Sequence, residues 1–113
     1  MHFYRIERDG IGPYNYHALS GIETPEKIQN MRRIHGESRP TPQRYDFDPK
    51  PEQVFACLTY TDLITWFTGF LEVLEEENFG IYRIEGQMVW CEETWGQCAI
   101  INRHIISPVM YPR

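Results

Sequence analysis

Three consecutive glutamates, Glu75, Glu76 and Glu77, have the spacing that most directly suggests a chemical role in this chain. They lie at the C-terminal end of a predicted helix, where the helix dipole disfavours each carboxylate by roughly a few tenths of a kcal/mol. A chain selected for stability alone would place lysine or arginine there. The cluster therefore predicts an electrostatic docking surface for a basic partner, and the alternative is an ordinary solvated helix end.

Acidic residues continue through the C-terminal half of the chain. Residues 61–113 contain eight acids and three bases, whereas residues 1–60 contain eight of each, so the second half carries the whole net charge of −5. Because an acidic surface repels phosphate backbones, direct nucleic-acid binding is disfavoured, and the predicted partner is a host protein with a basic surface. The predicted partner-binding residues are Glu72, Glu75, Glu76, Glu77, Glu85, Glu92 and Glu93.

Other kinds of chemistry have little support in the sequence. No serine lies in a nucleophile elbow, the four histidines lack metal-ligand spacing, and no glycine-rich phosphate loop is present. Cys91 and Cys98 match no zinc-knuckle spacing, so no metal site is predicted. The odd count of three cysteines predicts reduced thiols and a cytoplasmic location. The apolar runs are too short to span a bilayer, so no membrane contact is expected.

The N-terminal half predicts a strand, a short helix and a long loop. Residues 2–8 are rich in aromatic and β-branched side chains, which is typical of a strand. Thr24, Pro25 and Glu26 combine a capping residue, a proline at the first helical position and an acid, so they predict a helix that ends near Gly36. Four prolines between residues 36 and 53 exclude regular structure and predict a Pro-rich loop.

The C-terminal half predicts a buried strand, one dominant helix and three further strands. Residues 53–58 are almost wholly apolar, and the three-four spacing of apolar side chains over residues 61–79 predicts the main helix, ending at Gly80. Gly86 is interpreted as a turn between two short strands, and residues 99–106 predict another. The expected fold is a single α+β domain, residues 1–113, in which the helix packs on a mostly antiparallel sheet.

The order of these elements resembles that of small ADP-ribosyltransferase-like domains. The resemblance rests on an aromatic–arginine strand containing Arg5, a hydroxyl at the strand–helix junction (Thr59 or Thr61), and a late strand carrying Gln87 or Glu92. It implies an NAD cleft in which Arg5 contacts the phosphates or ribose of the cofactor. Thr59 or Thr61 would support that contact, and Gln87 or Glu92 would occupy the position of the catalytic acid. No other cofactor is expected.

A second resemblance is to a group of small uncharacterised phage and bacterial proteins. It rests on Tyr4-Arg5-Ile6-Glu7, on Gly10-x-Gly12-Pro13-Tyr14 and on Leu63-x-x-Trp66-Phe67, which are similar to their "YRVE…G.GPY" text and "WF" helix. It implies a phage- or mobile-element-type protein that binds and inhibits a host protein, in the manner of an anti-CRISPR or other anti-defence protein. The alternatives are the NAD-using enzyme and a structural phage component.

Overall fold

Four antiparallel strands form the centre of the fold: β1 (His2–Glu7), β2 (Val54–Cys57), β3 (Gly80–Glu92) and β4 (Gln97–Val109). The computed structural model describes residues 1–19, 21, 23–38 and 50–112. In it the strands pair in the order β1-β2-β4-β3, and β3 pairs with β1, so the sheet closes on itself. The α+β class and the antiparallel sheet predicted from the sequence are therefore confirmed.

Short helical elements accompany the closed sheet. They are a 3₁₀ segment (Pro13–Ala18), α1 (Glu26–Ser38), α2 (Tyr60–Trp66) and α3 (Leu71–Glu76). The helix α1 begins where the sequence predicts but continues through Gly36 to Ser38. Of the remaining predicted Pro-rich loop, residues 39–49 lie outside the described residues, and residues 50–53 form a turn in which the Gln53 N–H donates to the Lys50 carbonyl group. Among the described residues, no helix has both the length and the apolar character that crossing a bilayer requires.

The buried side chains form two separate cores. The smaller core lies inside the closed sheet, because all four strands contribute to it; its members are Phe3, Ala56, Ile84, Cys98 and Ile100. The larger core lies between the outer face of the sheet and the helices, and is built from residues such as Ile6, Met31, Leu63, Leu74 and Ile81. Each strand therefore has two buried faces where the helices cover it, which explains the apolar character of β2.

The single helix predicted over residues 61–79 is wrong, because the structure divides it into α2 and α3. The backbone N–H groups of Thr68 and Phe70 donate to the carbonyl groups of Thr65 and Phe67, three residues back. Gly69, between them, has φ +90°. This left-handed conformation ends the helical hydrogen-bond pattern and re-aims the chain, so that Leu74 on α3 becomes fully buried.

Replacing Gly69 with alanine distinguishes the divided helix from a continuous one. A Cβ at Gly69 would meet no atom within 4 Å, so the substitution acts through backbone conformation alone. At a positive φ we expect Gly69→Ala to lower the free energy of unfolding by about 1–2 kcal/mol, whereas the same change inside a continuous helix would raise it. Urea unfolding measures the sign. Gly36→Ala, on α1 and equally uncrowded, is the matched control and should not destabilise.

Gly86 is not the turn that the sequence predicts. It lies within β3, which runs unbroken from Gly80 to Glu92, while the register against β4 shifts between Glu85 and Gln87. A Cβ at Gly86 would lie 3.1 Å from Ile100 Cδ1 and 3.2 Å from the carbonyl oxygen of Ile101. Glycine at this position therefore allows β4 to approach β3 closely where the ladder is irregular. Permitting such a close backbone approach is a common role of glycine within strands.

The cysteines also differ from the expectation of three reduced thiols. Cys91 and Cys98 lie directly opposite each other on β3 and β4 and form a disulfide. Their separation of seven residues spans the tight turn between the two strands, which brings the two side chains together. Cys57 is free and buried, and burial raises the pKa of its thiol to about 12. The prediction of reduced thiols therefore agrees with the structure for Cys57 alone among the three.

Candidate functional site

A buried cluster of two arginines and one glutamate joins β1 to β4. Alternation along β1 directs Arg5 and Glu7 to the same face of the strand. The Arg5 Nε donates to Glu7 Oε2 at 2.8 Å, and its Nη1 donates to the carbonyl oxygen of Phe55 at 2.7 Å. Arg103 donates through Nη1 to the same Glu7 oxygen, and through Nη2 to the carbonyl oxygen of Gly10 at 3.1 Å.

The charges of this cluster do not balance. Two guanidinium groups share one carboxylate, so the cluster has a formal charge of +1. The side chains of Glu7 and Arg5 are 4% and 10% exposed, whereas that of Arg103 is 28% exposed and partly solvated. Burial lowers the pKa of Arg5, the hydrogen bond and charge of Glu7 oppose that shift, and the positive charge of Arg103 adds to it. The cluster therefore keeps one uncompensated positive charge, which a buried arginine and a partly solvated arginine share.

A cavity of about 150 Å³ lies beside the Arg5 guanidinium. The 3₁₀ segment, β2 and α2 enclose it, and Asn15, which is exposed, marks where it meets the surface. Gly12 lies close to the guanidinium, because a Cβ built on it would be 3.1 Å from Arg5 Nη2. The walls are mostly apolar, and they include Pro13, Val54, Trp66 and Phe67 beside the polar side chains of Gln53 and Gln97.

Hydrogen bonds among packed aromatic rings fix the aromatic wall of the cavity. The Trp66 Nε1 donates to Tyr14 Oη at 2.5 Å, and Tyr14 Oη lies 2.6 Å from His35 Nδ1. His35 is 3% exposed and also packs against Phe67 and Phe70, with ring centroids 5.7 and 5.4 Å away. Because these rings come from the 3₁₀ segment, α1 and α2, the network holds three elements in one arrangement around the cavity.

The structure does not bring together the five residues that the ADP-ribosyltransferase resemblance singles out. Arg5 lines the cavity, whereas Thr59, Thr61, Gln87 and Glu92 do not. The Thr59 hydroxyl accepts the Asp62 backbone N–H at 3.0 Å and caps α2, and Thr61 is exposed.

The two late residues of that group are also engaged elsewhere. Gln87 accepts a hydrogen bond from Asn102 at 2.9 Å and lies past the end of β1, about 17 Å along β3 from the residue opposite Arg5. Glu92 is buried, and its carboxylate accepts the backbone N–H groups of Thr94 and Trp95 at 2.6 and 2.8 Å. It therefore closes the turn between β3 and β4, and its carboxylate oxygens are occupied by that turn.

The seven predicted partner-binding glutamates are distributed over three places. Glu72 and Glu76 are exposed on α3, and Glu75 and Glu77 are half-buried beside them. The Glu77 carboxylate accepts a hydrogen bond from the Tyr16 hydroxyl at 3.2 Å, so it takes part in the packing of α3. The helix α3 therefore presents Glu72 and Glu76 outward, whereas Glu75 and Glu77 of the predicted cluster are only partly exposed.

The other three glutamates lie outside α3, on β3 and in the turn that follows it. Glu85 lies 3.5 Å from His104 Nε2 on the neighbouring strand, and Glu93 is exposed at the β3–β4 turn. Glu92 is buried in that turn, so its assignment to a partner-binding surface is wrong. Acidity counted along the sequence therefore overstates the acidic surface, because Glu92 is buried and the Glu77 carboxylate is engaged by Tyr16.

Glu7 and Arg103 are the site residues that the sequence analysis missed. Their link to Arg5 had one local signal: Arg5 and Glu7 are two residues apart on a strand, which places opposite charges on one face. Arg103 is 96 residues from Glu7, and no spacing rule connects them. Within the described part of the chain, no group of three or more histidine, cysteine or acidic side chains is placed to hold a metal ion.

Comparison with protein-family models, with curated proteins and with solved structures found no match to this chain.

Proposed function

We propose that this chain binds a partner protein with a basic surface through α3 and the groove between α1 and α3. The observation that carries the proposal is the pair Glu72 and Glu76, which lie one helical turn apart, are both exposed and both line this groove. The α1–α3 groove has a volume of about 310 Å³. Its other lining residues are Lys27, Asn30, Ile34, Gly69, Phe70 and Val73.

The groove combines an apolar floor with charged margins. Ile34, Phe70 and Val73 supply apolar surface, and Glu72 and Glu76 supply carboxylates on the α3 side. An arginine or lysine side chain has an apolar stem and a cationic end, so it matches both features at once. Lys27 on the α1 side reduces the formal charge of the groove to −1 and offers a pairing site for an acidic side chain of the partner.

In its concrete form the proposed partner is a host protein that this chain inhibits, as an anti-defence or anti-CRISPR-like protein does. The acidic face of α3 and the sequence resemblance to small phage proteins support this form. A surface that normally meets nucleic acid would present the arginine and lysine side chains that the groove accepts. A structural phage component, the remaining alternative, would instead assemble with copies of itself or with other particle proteins.

The NAD-using enzyme has less support from the geometry. The cavity beside Arg5 has a volume of about 150 Å³. Cavities of about that size hold a benzene-sized molecule, whereas sites for larger ligands reach about 300–1,000 Å³. Thr59 and Glu92, moreover, use their side-chain oxygens to cap α2 and the β3–β4 turn. The cavity is therefore smaller than a site for NAD, and the side chains of Thr59 and Glu92 do not converge on it.

Removing the two carboxylate charges of the groove tests the proposal. Glu72→Gln with Glu76→Gln removes both charges while leaving stability within about 0.5 kcal/mol, because both side chains are exposed. We expect the double variant to recover at least about tenfold less of the partner from a bacterial host lysate, measured by quantitative mass spectrometry. The association rate of the purified pair should fall, and its dependence on salt should weaken.

The matched control is Glu23→Gln with Glu52→Gln, which changes net charge equally at exposed positions outside the groove. This control should recover the partner as well as the unaltered chain does. Equal recovery by the groove variant and the control, with the same salt dependence, would show that α3 ends in solvated glutamates and does not bind the partner.

A further inference from the structure

We propose that the cavity beside Arg5 is a binding site for a small carboxylate with an apolar body. This inference goes beyond the proposed protein-binding function, and among the described residues the cavity and the α1–α3 groove have no lining residue in common. Its basis is the coincidence of three features at one place: an unbalanced buried charge, an open edge of a fixed guanidinium, and an apolar space of limited size.

The unbalanced charge is the first feature. Arg5 and Arg103 both donate to the same oxygen of Glu7, so one carboxylate serves two cations. The charges that act on the Arg5 guanidinium are those of Glu7 and Arg103. A buried charge without full compensation is unfavourable, and an anion that enters the cavity would remove this penalty. The cavity is therefore electrostatically suited to an anion and unsuited to a cation.

The open edge of Arg5 is the second feature. Its Nε and Nη1 are held by Glu7 and by the carbonyl oxygen of Phe55, which fixes the plane of the guanidinium. Its Nη2 has no hydrogen-bond partner among the described residues, and it lies on the side of Gly12, which also lines the cavity. A guanidinium held in this way binds a carboxylate without first being ordered, so little conformational entropy is lost on binding.

The size and lining of the cavity are the third feature. A space of about 150 Å³ admits a benzene-sized body. Pro13, Val54, Trp66 and Phe67 offer apolar and aromatic contact, and Gln53 and Gln97 add amide groups. Such walls disfavour inorganic phosphate, which has no apolar part to bury, and favour a carboxylate attached to a small ring or a branched chain.

Benzoate is the probe for this site, and benzamide is its neutral counterpart of the same shape. We expect benzoate to bind the full chain with a Kd on the order of 1 mM, since a ligand of about nine non-hydrogen atoms readily reaches that affinity. Benzamide should bind at least about tenfold more weakly, because it lacks the charge that pairs with Arg5. Calorimetry gives both affinities, and NMR shift changes at Arg5, Gly12 and Trp66 locate the benzoate.

Two glycine variants separate the site from a general effect on the protein. Gly12→Ala places a methyl group 3.1 Å from Arg5 Nη2 without changing any charge, and it should weaken benzoate binding at least about tenfold. Gly36→Ala, which meets no atom within 4 Å, is the control and should bind benzoate as the unaltered chain does.

Three results would overturn the proposal. They are equal affinity for benzoate and benzamide, equal benzoate binding by the two glycine variants, or no benzoate binding at concentrations about ten times the expected Kd. If Gly12→Ala does not fold, the comparison of benzoate with benzamide on the unaltered chain decides alone, by calorimetry and by the rise in melting temperature that a ligand of the native state produces.

Discussion

Glu7→Gln is expected to lower the free energy of unfolding by about 3 kcal/mol, although glutamine has nearly the same shape as glutamate. Glu7 is 3% exposed and supplies the carboxylate that both Arg5 and Arg103 contact. Without it, two buried or part-buried cations face each other with no counter-charge. Because Arg103 is partly solvated, we place the loss at the lower end of the range for breaking a buried ion pair. Urea unfolding at neutral pH measures it.

The control for this prediction is Arg103→Gln. It leaves the Arg5–Glu7 pair intact and electrically balanced, so we expect a loss of about 1 kcal/mol, mainly from the hydrogen bonds to Glu7 and Gly10. A double variant, Glu7→Gln with Arg103→Gln, should be more stable than Glu7→Gln alone, because one of the two uncompensated cations is removed. A Glu7→Gln protein that is as stable as Arg103→Gln would contradict the shared-carboxylate arrangement.

Phe67→Ala should remove about 3–5 kcal/mol of stability. Phe67 is the first residue after α2, it is 5% exposed, and its ring lies 6.1 Å from that of Tyr14 and 5.7 Å from that of His35. Truncation to alanine would therefore open a void where the 3₁₀ segment, α1 and α2 meet. A loss of this size is a large fraction of the stability of an ordinary small domain, so calorimetric melting shows it plainly.

Phe70→Ala is the matched comparison for the stability loss expected of Phe67→Ala. Phe70 is the same residue type, three positions later, but it is only half-buried, at the edge of the larger core, with its ring 5.4 Å from that of His35. We expect it to lose about half as much stability as Phe67→Ala. Equal losses for the two variants would mean that the segment between α2 and α3 does not turn as described, since the turn is what gives the two rings different environments.

The elements that the sequence predicts correctly are those with local signals. The start of α1 at Glu26 follows from Thr24 and Pro25, which specify a helix start without help from the rest of the chain. The strands β1 and β2 follow from composition over a few residues. In each case the physical cause acts among residues that are close in the sequence. Composition and capping residues are therefore enough to predict these elements.

The errors concern glycines whose role depends on distant partners. Gly69 in an apolar three-four pattern is compatible with one helix or with two, and only the packing of Phe67 and Leu74 on the sheet favours the break. Gly86 is compatible with a turn or with a close strand crossing, and the choice depends on Ile100 of β4. Sequence spacing does not carry this information, because glycine permits both conformations equally well.

The candidate site shows the same limit for charged residues. Glu76 and Glu92 are both acids in an acidic half of the chain, yet one is exposed beside a groove and the other is a buried acceptor for two backbone N–H groups. The two residues are of the same type, and their roles differ because Glu92 lies next to the turn at Glu93–Gly96, whose backbone N–H groups it accepts. The sequence resemblance predicts a cofactor contact for Arg5, but its hydrogen-bond partners are Glu7 and the carbonyl oxygen of Phe55, and Glu7 is shared with the distant Arg103.

The closure of the sheet has a kinetic consequence. The backbone partners of β1 lie in β2 and β3, its Arg5 side chain bonds to Phe55 50 residues away, and Glu7 meets Arg103 96 residues away. Contacts of such long range form only when large loops close, which costs conformational entropy. We therefore expect folding to be slow for a chain of this size. During synthesis β1 lacks its full set of strand partners until β2 and β3 have left the ribosome, and Tyr4 and Ile6 stay accessible to chaperones until then.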